Sequence, residues 1–252
     1  MSEGLSDIAP PDLVIARDAL FLDLDGTLVE IAEDPAAVRM NNEACLMLRA
    51  LNDRVSGALA VLTGRALDAA DGITGATIVP IGALHGLHIR GATGDMLAQP
   101  APLAQLRELA ANIAAEIARG SLNARLEDKG ASIALHYRHA PDEEARICAF
   151  ARAAAEKIGL RTLKGKLVIE ILPLGAAKGD ALRIFMQTPP FAGRAPIAVG
   201  DDITDESAFA AANALGGASI LVGPPRITAA RYRLESVNAV HAWLSRGLEA
   251  AR

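Results

Sequence analysis

The chain has 252 residues, 51% of them hydrophobic and 22% charged, with a formal net charge of −5. That length suffices for one large or two modest domains. The acidic balance excludes bulk electrostatic attraction to nucleic acid, though local basic groups can still hold a small anion. Aromatics make up only 3% of the chain, so the core has to be assembled from small side chains and close helix packing. No apolar run approaches the roughly 18 residues of a membrane span. The first twenty residues hold Glu3, Asp7, Asp12 and Asp18 and no apolar signal segment. These features predict a cytoplasmic protein with no membrane partner. Cys45 and Cys148 lie in apolar, helix-like contexts and read as small core residues, not a disulfide or metal pair.

In chain order, the segment up to Pro10 and Pro11 reads as loose. Residues 19–24 form a first strand, 40–52 a helix with Leu46, Leu48 and Leu51, 57–62 a second strand and 76–81 a third. The middle of the chain differs. Leu103, Leu106, Ala110, Ile113 and Ile117 recur at helical spacing over 103–119. Strands at 122–127 and 131–137 join at Asp128-Lys129-Gly130, a hairpin signal. Pro141 and three acids open a second helix whose stripe is Ile147, Ala151, Ala154 and Ile158, and Gly159 ends it. Strands at 160–164 and 167–172 follow, turning at Gly165-Lys166. The order αββαββ describes a small α+β domain, residues 91–173, inserted into an α/β core formed by residues 1–90 and 174–252. In the second half of that core, helices at 177–187, 204–214 and 236–248 alternate with strands at 196–199 and 218–222.

The apolar run Ala19-Leu20-Phe21-Leu22 leads directly into Asp23 and Asp25, two residues apart on one side of an extended chain. Two carboxylates about 5 Å apart repel by ~3 kcal/mol at an effective dielectric near 20, so a cation or a shared proton has to offset them. Gly26 allows a sharp turn with outward N–H groups. The stretch therefore combines a metal site, a nucleophile and an anion nest. Thr63 also ends an apolar strand, where it could hold a phosphoryl oxygen or serve as N-cap for a helix starting near Ala66. Lys178 stands at a helix start, against the dipole. Asp201, Asp202 and Asp205, with Glu206, crowd the end of another apolar strand and suit a hard cation, with helix capping as the alternative.

Asp23-Leu-Asp25-Gly-Thr27, Thr63-Gly64-Arg65, Lys178-Gly179 and Gly200-Asp201-Asp202-Ile-Thr-Asp205 resemble, in order, the four motifs of the haloacid-dehalogenase-like phosphatases. Each falls at a strand end or helix start, the edge where open α/β sheets bind ligands. The resemblance implies a Rossmann-like parallel core. It makes Asp23 the nucleophile, Asp25 the proton donor and acceptor, Thr63 with Gly64 the phosphate holder and Lys178 the charge neutraliser. It implies Mg²⁺ on Asp23, the backbone carbonyl of Asp25 and Asp201, with Asp202 and Asp205 orienting waters or Lys178. Arg65 receives no role.

The stretches Gly82-Ala-Leu-His85-Gly86, Glu127-Asp-Lys129-Gly130, His136-Tyr137-Arg138 and Gly165-Lys166-Leu-Val-Ile-Glu170-Ile-Leu-Pro173 are similar to the trehalose-6-phosphate phosphatases. With the catalytic motifs, the likeness runs from about residue 18 to 245. It implies hydrolysis of trehalose 6-phosphate to trehalose and phosphate under a closing cap. Glu127, Lys129, Arg138, Lys166 and Glu170 would hold sugar hydroxyls, joined by Gly86 and by His85 at the hinge between domains. The bland reading of the five charges is solvated groups on a sheet face, and it fits Glu170 least, because Val168, Ile169, Ile171 and Leu172 flank it. The sequence departs from the family at Leu87-His88, where an acid is common, and at Leu172 and Leu174, where Lys and Arg are common. Those departures bear on the sugar, leaving sucrose, mannosylglycerate or glucosylglycerol phosphate as alternative substrates. A phosphosugar-binding regulator without turnover is the alternative from another class. The residues are silent on association with a trehalose-6-phosphate synthase.

Overall fold

A computed structural model describes residues 8–32, 37–76, 80–98, 104–174 and 177–249. The chain divides into two compact units, residues 1–99 with 177–252, and residues 100–176.

The first unit begins with β1 (Asp18–Leu22), all five residues of which are buried. Burying each of Leu20, Phe21 and Leu22 contributes about 1.5–3 kcal/mol. Asn41 caps α1 (Asn42–Arg54), its side chain accepting from Ala44 N at 2.8 Å. Ala44, Leu48 and Leu51 form the buried stripe of this helix, whereas Leu46, expected in it, is exposed. Then come β2 (Leu59–Leu62), α2 (Leu67–Thr74) and β3 (Ile81–Ala83). The third strand thus starts at the end of the expected 76–81 segment, of which residues 77–79 lie outside the described residues.

Two short strands absent from the sequence reading follow, β4 (His88–Arg90) and β5 (Met96–Ala98). They fold back antiparallel on β3, so residues 91–98 belong to the first sheet and the expected division after residue 90 falls inside a hairpin.

The second unit contains α3 (Ala104–Ala118), β6 (Arg125–Asp128), β7 (Ile133–His136), α4 (Glu144–Lys157), β8 (Arg161–Gly165) and β9 (Val168–Leu172). Its strands form an antiparallel sheet in the order β6-β7-β9-β8. Leu106, Ile113, Ile147 and Ala151 of the helices pack with Ile133, Leu135, Ile169 and Ile171 of the sheet. Alternation therefore turns the intervening residues to the other face, and register places Glu127, Ala134 and Glu170 in one row across it.

The chain returns to the first unit through α5 (Lys178–Phe185), β10 (Ala195–Gly200), α6 (Glu206–Ala214), β11 (Ala218–Val222), β12 (Tyr232–Leu234) and α7 (Val237–Glu249). The strand order is β12-β11-β10-β1-β2-β3-β4-β5, parallel from β12 to β3. From β1 the chain builds outward through β2 and β3 on one side and later fills the other side with β10, β11 and β12, which makes the C-terminal end of β1 a topological switch point. Phe21, Phe185 and Phe191 form an aromatic trio with centroids 5.1–6.0 Å apart, tying β1 to α5. Cys45 is half-buried, Cys148 is buried, and both are free thiols. Among the described residues no helix is long and apolar enough to cross a membrane.

Candidate active site

The C-terminal ends of β10, β1 and β2 lie side by side and deliver three of the four motifs to one edge. Asp23 follows β1 directly, its backbone N donating to Val199 O at 2.9 Å. The chain then turns at Gly26, which has φ +82° and whose N–H donates to Val29 O at 2.7 Å. A Cβ on Gly26 would stand 2.2 Å from Asp201 Oδ2, so both the backbone conformation and the space demand glycine. The Asp201 carboxylate rests on the turn that carries Asp23 and Asp25.

Lys178 reaches this edge from the first residue of α5. Its ammonium donates to Asp23 Oδ1 at 2.6 Å and to Asp205 Oδ1 at 2.7 Å. All three side chains are almost wholly inaccessible to water. Gly179 makes the approach possible: its N donates to Ser207 Oγ at 3.1 Å, and a Cβ there would collide with Ser207 O at 2.2 Å. Burial works against the charge on Lys178, but Asp205 and Asp23 outweigh it and hold the pKa above its ordinary value. Burial pushes Asp23 well up, with Lys178 opposing and Asp205 and Asp201 adding to the rise. Asp201 is pushed up to about 7, first by burial and then by Asp205 and Asp202.

Three carboxylates thus face one ammonium in a dry site, which leaves a surplus of negative charge. One oxygen of each of Asp23, Asp201 and Asp205 lies within 4.8 Å of the others. Hard oxygen donors with excess negative charge fit a small divalent cation. Asp205 is the least suited of the three, because Lys178 takes its Oδ1 and the backbone N of Asp202 its Oδ2 at 3.0 Å. Asp201 is the better donor, and so is Asp23, whose Oδ2 accepts a long bond from Thr27 Oγ1 at 3.4 Å.

The expected partners of Lys178 are half met. Asp205 bonds it, while Asp202 instead caps the following turn, its Oδ1 accepting from Ile203 N at 2.7 Å within a capping box with Asp205. Asp25 does not share a partner with Asp23. Its carboxylate turns to Arg65, whose Nε and Nη2 donate at 2.7 and 2.6 Å in a two-pronged pair. The repulsion expected between the two acids is therefore offset by two different cations of the chain. Arg65 is the site residue that sequence reasoning passed over; its place straight after Thr63-Gly64 at a strand end was the available signal.

Thr63 is buried at the end of β2, and its Oγ1 accepts from Arg65 N at 3.1 Å. It does not cap α2, whose N-cap is Ala66 with no side-chain bond. The 63–65 turn is stapled to the 82–85 segment by His85 N to Thr63 O at 2.9 Å and Leu84 N to Arg65 O at 3.0 Å. His85, left-handed at φ 56°, lays its ring so close over Gly64 that a Cβ there would stand 2.6 Å from it. Gly86, at φ +96°, passes Ala177 O just as tightly, at 2.7 Å from a Cβ.

In the second unit, Glu170 is buried and central. Lys129 Nζ donates to its Oε2 at 3.2 Å and Ser132 Oγ to its Oε1 at 2.5 Å. Glu127, in register with it across Ala134, is exposed and accepts from His136 Nε2 at 2.7 Å, which holds its carboxyl below the usual range. Arg138 and Lys166 are exposed and lie beyond strand ends. Lys166 and Glu170 lie four residues apart, a spacing that would give them the same parity along a strand, but Leu167 at φ +59° breaks that parity. His136 was not foreseen as the partner of Glu127.

The family model for trehalose-phosphatases matches residues 21–238. A probable trehalose-phosphate phosphatase of Sinorhizobium fredii is 43% identical over 82% of this chain and 78% of its own length. The trehalose-6-phosphate phosphatase of Escherichia coli is 38% identical over 97% of this chain and 90% of its own. Among solved structures, the C-terminal domain of the C. albicans trehalose-6-phosphate phosphatase has the same fold, with a TM-score of 0.79 at 20% identity, covering 97% of this chain and 99% of that one. The family model spans well over half of the chain and both curated relatives exceed 30% identity over most of it, and on these grounds the protein belongs to the trehalose-phosphatase family.

Proposed function

We propose that the protein hydrolyses trehalose 6-phosphate to trehalose and phosphate through a covalent aspartyl-phosphate on Asp23, with Mg²⁺ as cofactor. The observation that carries this reading is the buried Lys178 bridge between Asp23 and Asp205, which sets a fixed positive charge against a carboxylate at the strand edge where ligands bind. Asp23 and Asp201 would hold the cation, with the Asp25 carbonyl as the third protein donor. The cation, when bound, draws charge from the phosphoryl oxygens.

In the first half-reaction an Asp23 oxygen bonds to phosphorus as the bond from phosphorus to the sugar oxygen breaks. Asp25 gives that oxygen a proton, and Thr63 with the Gly64 N–H holds a phosphoryl oxygen. In the second half, Asp25 takes a proton from water, whose oxygen bonds to phosphorus and releases Asp23. The two-pronged Arg65 pair fixes where the Asp25 carboxyl points beside Asp23. We assign residues 1–99 and 177–252 to the catalytic core, so that the expected bounds at 90 and 174 move to 99 and 177, and the second unit, residues 100–176, to sugar recognition. Glu127, Lys129, Arg138, Lys166 and Glu170 there, with His85 and Gly86, would bond sugar hydroxyls. The free thiols fit a reducing, cytoplasmic setting.

The test is phosphate release from trehalose 6-phosphate with Mg²⁺ and then with chelator. Turnover that needs the cation and disappears in Asp23→Asn supports the reading. A verified, active Asp23→Asn protein ends it, and equal rates on small sugar phosphates count against trehalose 6-phosphate as the substrate.

A further inference from the structure

Glu206 was noted in the sequence only as a fourth acid beside Asp201, Asp202 and Asp205. In the structure it faces away from Lys178 and is engaged on both oxygens. Oε1 accepts from Thr228 Oγ1 at 2.8 Å and pairs with Arg226 Nη1; Oε2 accepts from Ala229 N at 2.7 Å. The other prong of the same guanidinium, Arg226 Nη2, donates to Asp202 O at 2.9 Å. That carbonyl already accepts from Asp205 N at 3.1 Å, so both its lone pairs are used. Both charged side chains are more than two-thirds shielded from water, at 29% and 26% exposure, which distinguishes the pair from an ordinary surface contact.

We propose that Glu206 and Arg226 are positioning residues, a clasp that fixes the Gly200–Asp205 loop and thereby sets the cation affinity of Asp201. This rests on the reading of Asp201 as a cation donor given above. On the side of the site the loop is held by the Lys178 bond to Asp205, by the Asp202–Asp205 capping box and by the Gly26 turn beneath Asp201; Arg226 holds it from the opposite side, at the Asp202 carbonyl. Arg226 grips the peptide one residue beyond Asp201, and Glu206, anchored by the 228–229 backbone and hydroxyl, keeps the guanidinium in place. Neither residue bonds Asp23, Asp25 or Lys178, so the clasp acts on substrate only through the loop. Groups that orient metal ligands in this way typically change cation affinity 10- to 100-fold when removed.

The experiment is calorimetric titration of Mg²⁺ into the metal-free protein and its Arg226→Lys, Arg226→Ala, Glu206→Gln and Asp201→Asn variants, with phosphate release measured against Mg²⁺ concentration alongside. Arg183→Ala, which removes an exposed pair on α5, is the control. Arg226→Lys cannot supply both prongs. We expect the three clasp variants to bind Mg²⁺ about 10-fold or more weakly, with kcat at saturating Mg²⁺ within about threefold of the parent. Unfolding temperature in chelator reports folding; if Arg226→Ala does not fold, Arg226→Lys and Glu206→Gln decide. Folded clasp variants with parental Mg²⁺ affinity, beside an Asp201→Asn that loses binding, overturn the clasp alone. An Asp201→Asn that binds Mg²⁺ like the parent overturns the donor reading and the clasp with it.

Discussion

Replacing Lys178 with Met keeps most of the stem and removes only the charge. At 2.6 and 2.7 Å from Asp23 and Asp205, the ammonium attracts each carboxylate by about 6 kcal/mol at an effective dielectric near 20. Much of that is spent on desolvating three buried groups, and the measured cost of removing one partner of a buried pair is ~3–5 kcal/mol. At roughly 2–4 °C per kcal/mol for a chain of this size, the unfolding temperature of Lys178→Met should fall by about 6–20 °C. The loss should depend on pH. The buried acids already bind protons more tightly than in the unfolded chain, and without Lys178 this difference grows. Stability then falls as pH rises through the window between the unfolded and folded values, so the variant should suffer less at pH 5 than at pH 8. Mg²⁺ resupplies positive charge and should raise the unfolding temperature of the variant more than that of the parent. Turnover should fall by about 10²–10³. Circular dichroism melts with Mg²⁺ and with chelator, beside a phosphate-release assay, measure all of this. A variant that melts within about 2 °C of the parent at pH 8 and keeps its turnover would refute the reasoning.

Gly26→Ala should cost about 1–2 kcal/mol for its left-handed backbone and displace the Asp201 carboxylate, lowering Mg²⁺ affinity at least about tenfold by calorimetry. Arg65→Ala should lower kcat about tenfold while shifting the melt by less than about 4 °C, because the pair is partly exposed; Arg65→Lys should not restore the rate, since a lysine cannot form the two-pronged bond. Glu170→Gln should raise KM for trehalose 6-phosphate about tenfold and lower kcat less, read from initial rates. His136→Phe should bring the Glu127 carboxyl titration back up toward its ordinary value, followed by carbon-13 NMR of that carboxyl.

The central strands were legible because each is a short apolar run broken by a motif. Ala218–Val222 has the expected bounds, and the other central strands differ from expectation mainly at their ends. β4, β5 and β12 were not legible. Each has three residues, and His88 and Arg90 dilute any apolar pattern; they are strands because β3, β4 and β11 offer them edges, a condition of pairing that no single window contains. At the site, residue types announced the acids and Lys178, but not who pairs with whom. Asp25 finds Arg65 forty positions away, and Glu206 finds Arg226 across β11, because turns that are silent in composition bring them together. Lys166 shows the opposite failure, where a counted parity is undone by one left-handed residue at Leu167.

The pairing of Asp18–Leu22 with Ala195–Val199 has a consequence for how the protein is made. The strand that leads into Asp23 emerges from the ribosome about 175 residues ahead of its neighbour, an interval of roughly 10–35 s at ordinary synthesis speeds. Throughout that time one edge of an apolar strand has no native mate, which is when a nascent chain is most exposed to wrong associations. The same delay parts Asp23 from the groups that surround it in the folded protein: Lys178 is made 155 residues later and Asp205 182 residues later.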